Sequence, residues 1–120
     1  MRQINKQQEF GKHYLVEMID CDPERIKFIE PAKEIFLRAA RESNATHIGD
    51  IFHQFNPYGI SGIILISESH MSFHTWPEAN YVGLDIFTCG TEMSPDVAIA
   101  VLKEGFNAQE VRVEICSRGF

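Results

Sequence analysis

"YVGLDIFTC" occupies residues 81–89, and its alternation sets the fold. In an extended chain Val82, Leu84 and Ile86 fall on one side. Tyr81, Gly83, Asp85, Phe87 and Cys89 fall on the other. An apolar side backed by a mixed side is what an antiparallel strand presents. The preceding stretches repeat the pattern. In 70–76, Met71 and Phe73 point one way, and His70, Ser72, His74 and Trp76 the other. In 60–69, Ser61, Ile63, Leu65, Ser67 and Ser69 group together. The unbroken run Ile63–Ile66 there is typical of a strand covered on both faces. In 46–56, His53 and Phe55 share a side. The sheet therefore has one plain apolar face and one that mixes aromatics with Ser, His, Cys and Asp.

Working outward, residues 11–21 read as a first strand and Val111, Val113 and Ile115 as a last one. Asp22-Pro23 pairs an N-cap with a first-turn proline. It predicts a helix to about Arg41, kinked near Pro31, with Ile29, Ala32, Phe36 and Ala40 (or Ala39) on one face. Ser94-Pro95 repeats the signal for a second helix, with Gly105 as its stop. "NPYG" (56–59) reads as a turn. The fold class is an α/β two-layer sandwich, an antiparallel sheet with two helices on one face. Two helices cover one face only, so a second copy of the chain is the economical cover for the other, giving a four-layer α/β/β/α dimer.

A chain of 120 residues, 44% of them hydrophobic, fits one domain spanning 1–120. No run reaches the roughly 18 apolar residues of a membrane helix. The polar opening "MRQINKQQEFGKHY" lacks the apolar block of a signal peptide, so a soluble, cytoplasmic protein is expected. A net charge of −6 with scattered Lys and Arg argues against nucleic acid as a partner. Cys21, Cys89 and Cys116 are odd in number, widely spaced and lack a CxxC pair, which argues against a disulfide framework and a four-cysteine zinc site. Cys21 and Cys116 read as reduced, buried thiols.

The stretch "ISESHMSFHTWPE" (66–78) is either a decorated sheet face at an interface or a site of chemistry. Taken singly, its serines are small polar strand residues and its histidines hydrogen-bonded packing residues. His70 and His74 lie about 13 Å apart along a strand, too far to share a zinc ion. A Ser–His–Asp hydrolase using Asp85 lacks a G-x-S-x-G elbow.

Together, Ser61-Gly62, the stretch 66–78, Tyr81 and "DIFTCG" (85–90) resemble the S-adenosylmethionine decarboxylase proenzyme of bacteria and archaea. The flanking pattern agrees over nearly the whole chain. The resemblance implies self-cleavage between Glu68 and Ser69, into chains 1–68 and 69–120. Ser69 attacks the preceding carbonyl, and elimination and hydrolysis leave it as a covalent pyruvoyl group, the cofactor that forms a Schiff base with the substrate. His74 matches the proton acceptor of processing, Ser61 a hydroxyl that assists it, and Cys89 the proton donor of decarboxylation. Phe55, Trp76 and Glu78 fall where relatives build the adenosyl pocket. No metal is implied. The substrate is S-adenosylmethionine and the product an aminopropyl donor for spermidine and other polyamines.

Chemical need agrees with the resemblance. Decarboxylating an amino acid leaves a carbanion that needs an electron sink, and no ordinary side chain carries a carbonyl. Two rivals remain. A same-fold arginine or ornithine decarboxylase would share the pyruvoyl end, with Asp50, Asp85 or Glu78 holding a guanidinium. A non-catalytic dimeric binding module would use the polar face only as an interface.

Overall fold

The structure, a computed structural model, describes residues 7–120. Residues 1–6 of the polar opening lie outside the described residues. Strand β1 spans Glu9–Ile19 and helix α1 Ile29–Glu42. Strands β2 (His47–Gln54), β3 (Ile60–Ile66), β4 (Ser69–Trp76) and β5 (Tyr81–Thr88) follow. Helix α2 covers Pro95–Phe106 and β6 covers Glu110–Gly119. The strands form one six-stranded sheet in the order β2-β3-β4-β5-β1-β6, antiparallel throughout.

The alternation sorts the strands as expected. Val82, Leu84 and Ile86 of β5, Met71 and Phe73 of β4, and Ile64 and Ile66 of β3 are buried under the helices. Ala32, Phe36, Ala39 and Ala40 of α1 meet them, as do Ala98, Val101, Leu102 and Phe106 of α2. Phe36 and Phe73 lie with ring centroids 4.3 Å apart at the centre. Edge strand β6 leaves Val113 and Ile115 exposed.

Three local expectations change. Asp22 does cap, accepting from the Glu24 N–H at 3.0 Å, but what it caps is a single 3-10 turn, Pro23–Arg25. The chain then turns through buried Ile26 before α1 begins. Glu30 keeps extended angles (φ −97°, ψ 131°), because a proline disfavours helical backbone in the residue before it. Gly105 does not stop α2. Asn107 does, in the left-handed conformation at φ 53°. Gly105 is buried inside the helix, where a Cβ would collide with Ile35 of α1, so it serves close helix packing.

The third change concerns Ser69. Strand β3 ends at Ile66, and the turn Ser67–Glu68 resets the count. Ser69 opens β4, opposite Ile66 and Thr88, and so shares the parity of Met71 and Phe73 rather than that of Ser61 or His74. Its φ is 152°, a conformation that L-residues rarely adopt.

The other sheet face is uncovered in the single chain. Ile51 is 69% exposed, Leu65 52%, Trp76 44% and Ile63 41%. Large apolar side chains exposed together on one face are typical of a surface that meets a partner. Among the described residues, no helix is long and apolar enough to cross a membrane.

Candidate active site

The bond between Glu68 and Ser69 sits in the turn joining β3 and β4, beside the end of β5. Cys89, one residue past β5, reaches it twice. Its backbone N–H donates to the Glu68 carbonyl oxygen at 3.0 Å, and its thiol donates to the same oxygen at 3.1 Å. Two donors on one carbonyl oxygen can stabilise negative charge developing there. The next residue along is Ser69 at positive φ, so a hydroxyl, a polarised carbonyl and a distorted backbone coincide at one peptide.

Ser61 and His74 form a second group. They face each other across β3 and β4, with Ser61 Oγ 2.5 Å from His74 Nδ1. A cavity of about 310 Å³ opens beside them, lined by Ile51, His53 and Ile63 as well. A histidine so placed, with its second nitrogen free of this contact, can take a proton from a group brought to it.

Aromatic residues extend this group. Trp76 lies 6.0 Å from the His74 ring and 5.3 Å from that of Tyr81, centroid to centroid. The Tyr81 hydroxyl donates to Glu17 at 2.5 Å. Burial, then that hydrogen bond, push its pKa up to about 12, so it stays a donor. Phe55 is exposed just past β2, edge-on to His53 at 4.6 Å. Glu78 is exposed in the short turn Pro77–Ala79.

The two groups do not meet within one chain. Ser69 and His74 stand five residues apart on β4, about 16 Å in an extended strand, with opposite parity. Cys89 and Glu68 are thus gathered at Ser69, whereas Ser61, His74 and Trp76 are gathered elsewhere.

Sequence reasoning missed three features here. One is the contact of Cys89 with the Glu68 carbonyl, which depends on where β5 ends relative to a turn. A second is a cavity of about 320 Å³ that Cys89 shares with Glu9, Phe10, Gly11, Tyr14 and Pro95. The third is a histidine pair on the open face. His13 and His70 approach to 6.3 Å between centroids, with His13 Nε2 3.4 Å from Asp85. Burial, then the neighbouring His13, hold the His70 pKa below its ordinary value, while Asp85 opposes them. Of the other thiols, Cys21 is buried and pushed up to about 11, and Cys116 is only half-buried.

Known proteins share both the sequence and the fold. Residues 12–119 match the S-adenosylmethionine decarboxylase family. The chain belongs to that family. A protein of Thermodesulfovibrio yellowstonii named S-adenosylmethionine decarboxylase proenzyme is 42% identical over 109 residues, covering 91% of this chain and 81% of its own. The protein of the same name from Pyrococcus abyssi is also 42% identical over 109 residues, covering 91% of this chain and 78% of its own. The crystal structure of the adenosylmethionine decarboxylase from Aquifex aeolicus superposes with a TM-score of 0.87 at 29% identity, covering 94% of this chain and 93% of that one. The span matched to the S-adenosylmethionine decarboxylase family takes in Phe55, Ser61, Glu68, Ser69, His74, Trp76, Glu78 and Cys89.

Proposed function

We propose that this chain is a self-cleaving, pyruvoyl-dependent decarboxylase of S-adenosylmethionine. The observation that carries the reading is the double hydrogen bond from Cys89 to the Glu68 carbonyl, directly before Ser69 at φ 152°. Membership of the family and the proenzyme relatives support the same reaction.

In processing, Ser69 Oγ adds to the Glu68 carbonyl carbon, and the Cys89 N–H and thiol hold the oxygen as it gains charge. The Glu68–Ser69 C–N bond breaks, its nitrogen takes the hydroxyl proton, and an ester replaces the amide. A base then removes the Ser69 α-proton, and Glu68 leaves as a carboxylate. The resulting enamine isomerises, and water releases its nitrogen as ammonia, leaving a pyruvoyl group at position 69. The cut divides the single domain 1–120 into chains 1–68 and 69–120.

Ser69 fits that origin, because its backbone is strained at φ 152° and cutting releases it. Once formed, the pyruvoyl group supplies the carbonyl that binds the substrate amine and accepts the electrons freed with carbon dioxide. Cys89 stands within reach to return a proton to the substrate carbon.

His74 is the processing base and Ser61 its hydroxyl partner, but they serve the Ser69 of a second copy. About 16 Å of strand separates His74 from its own Ser69. The open sheet face carries apolar surface for a partner, with Ser61, His74 and Trp76 on it. Packing two such faces together forms the four-layer dimer and excludes water from the reacting centre. Phe55 and Trp76 offer flat faces for an adenine ring and a diffuse sulfonium, and Glu78 a carboxylate for ribose hydroxyls. The product is the aminopropyl donor for polyamine synthesis, made in the cytoplasm.

Two measurements test this reading. Intact-mass spectrometry is expected to resolve two chains, the second starting at a blocked position 69. Carbon dioxide release is expected from S-adenosylmethionine and not from arginine or ornithine. Turnover of arginine alone would move the substrate and spare the pyruvoyl chemistry, and a permanently whole, inactive chain would leave only a binding module.

A further inference from the structure

The residue before the cut is fixed at both ends. Its carbonyl sits on Cys89, at the end of β5. Its side chain runs the other way, to Thr46 in the lead-in to β2. The Thr46 N–H donates to Glu68 Oε1 at 3.0 Å, and the Thr46 hydroxyl donates to Oε2 at 3.3 Å. Thr46 also accepts, through its carbonyl, the Ser67 N–H at 2.9 Å. One residue thus holds the backbone of Ser67 and both carboxylate oxygens of Glu68. Glu68 is 7% exposed, unusual for a glutamate at a hairpin turn.

A carboxylate is withdrawn from water only where hydrogen bonds replace its solvation. Here the two that replace it come from an element with no part in the bond to be cut. They hold Glu68 in a fixed place between β2 and β5, while β4 must begin immediately after it. Ser69 absorbs the mismatch at φ 152°. Without the tether, the turn could shift to relax Ser69, and the carbonyl would leave the Cys89 donors.

We propose that the Thr46–Glu68 pair is a positioning element for self-cleavage, holding the scissile carbonyl on Cys89 and Ser69 in its strained conformation. The pair touches no reacting atom through its side chains and acts by geometry. Misplacing a reacting group by about 1 Å costs on the order of 100-fold in rate, so loss of the tether should be visible in the cutting rate. Thr46 and Glu68 both lie in the N-terminal product, so the tether outlasts the cut.

The inference rests on the self-cleavage proposed above, and the test separates the two. Cutting of the full chain is followed by intact-mass spectrometry after synthesis in a cell-free system. Glu68→Ala is expected to cut about 10–100-fold more slowly than wild type. Glu68→Gln keeps an acceptor for the Thr46 N–H and offers an amide to the Thr46 hydroxyl, so it should recover to within about 3-fold. Thr46→Val loses only the hydroxyl bond and should be several-fold slow, with Thr46→Ser restoring it. If the tether works through Cys89, combining Glu68→Ala with Cys89→Ala should cost less than the sum of the two, as coupled residues do. A folded Glu68→Ala that cuts at the wild-type rate overturns the role, as does a Gln variant as slow as Ala, or a simple sum in the double variant. Should Glu68→Ala fail to fold, Thr46→Val cutting at the wild-type rate overturns it equally. Wild-type chain that never cuts defeats the self-cleavage reading itself.

Discussion

The thiol and the backbone N–H of Cys89 converge on the carbonyl oxygen of Glu68, at 3.1 and 3.0 Å. A residue expected to act only in decarboxylation thus also touches the peptide bond proposed as the cleavage site. Cys89→Ala should therefore slow both steps. It removes one of two donors, and a thiol is a weak one, so self-cleavage should fall roughly 10-fold, less than for a strong oxyanion donor. Decarboxylation by the cut enzyme should fall further, by about 10²–10⁴-fold, as for a lost acid. Timed intact-mass spectra and carbon dioxide release measure the two. Wild-type cutting in Cys89→Ala would reduce the thiol contact to packing.

Ser69 gives the second prediction. Its φ of 152° suits glycine. Ser69→Ala and Ser69→Gly both lack the nucleophile and should remain whole. They should differ in stability, with the glycine variant about 1–2 kcal/mol more stable in denaturant unfolding, within the range of such backbone strain. Equal midpoints would show that this position stores no strain.

His70 gives the third. The groups around it are His13 on β1, Asp85 and Phe87 on β5, and its cross-strand neighbour Leu65 on β3. Burial and His13 lower its pKa from 6.5. The native chain then binds fewer protons than the unfolded one between the lowered value and 6.5. Its contribution to stability is full above 6.5 and is lost as pH falls through that window. In an uncut Ser69→Ala background, adding His70→Phe should flatten the fall in denaturation midpoint from about pH 8 to about pH 5. Parallel curves with and without His70 would exclude it as the source.

Strand alternation was legible because β4 and β5 are regular and packed on one side only. Met71, Phe73, Val82, Leu84 and Ile86 therefore record the buried face directly. Ser69 was misplaced because parity does not survive a turn, and Ser67–Glu68 carries no glycine or proline to announce one. Gly105 looked like a helix stop because glycine usually serves there, but Ile35, seventy residues earlier in sequence, decides its role through packing. The Ser61–His74 pair was recoverable from shared sidedness. The tether from Thr46 to Glu68 was not, since it links residues 22 apart whose contact depends on how β2 enters the sheet.

The last prediction tests whether the site is shared between two copies. Ser69 and Cys89 lie in one group and His74 in another, with about 16 Å of strand between Ser69 and His74. If a dimer completes each site, Ser69 of one copy meets His74 of the other. Ser69→Ala alone stays whole, and His74→Ala alone stalls at the ester because no base reaches the α-proton. Co-expressed, they form mixed dimers. One site then combines Ala at 69 with Ala at 74 and is dead. The other combines an intact Ser69, on the His74→Ala chain, with an intact His74 on its partner. The His74→Ala chain should therefore complete processing in the mixture and nowhere else. A size tag on one chain lets mass spectrometry assign the blocked product to it, and decarboxylase activity should appear from two inactive parents. If neither chain matures when mixed dimers are demonstrably present, His74 acts within its own chain, and β4 must rearrange to bring it to Ser69.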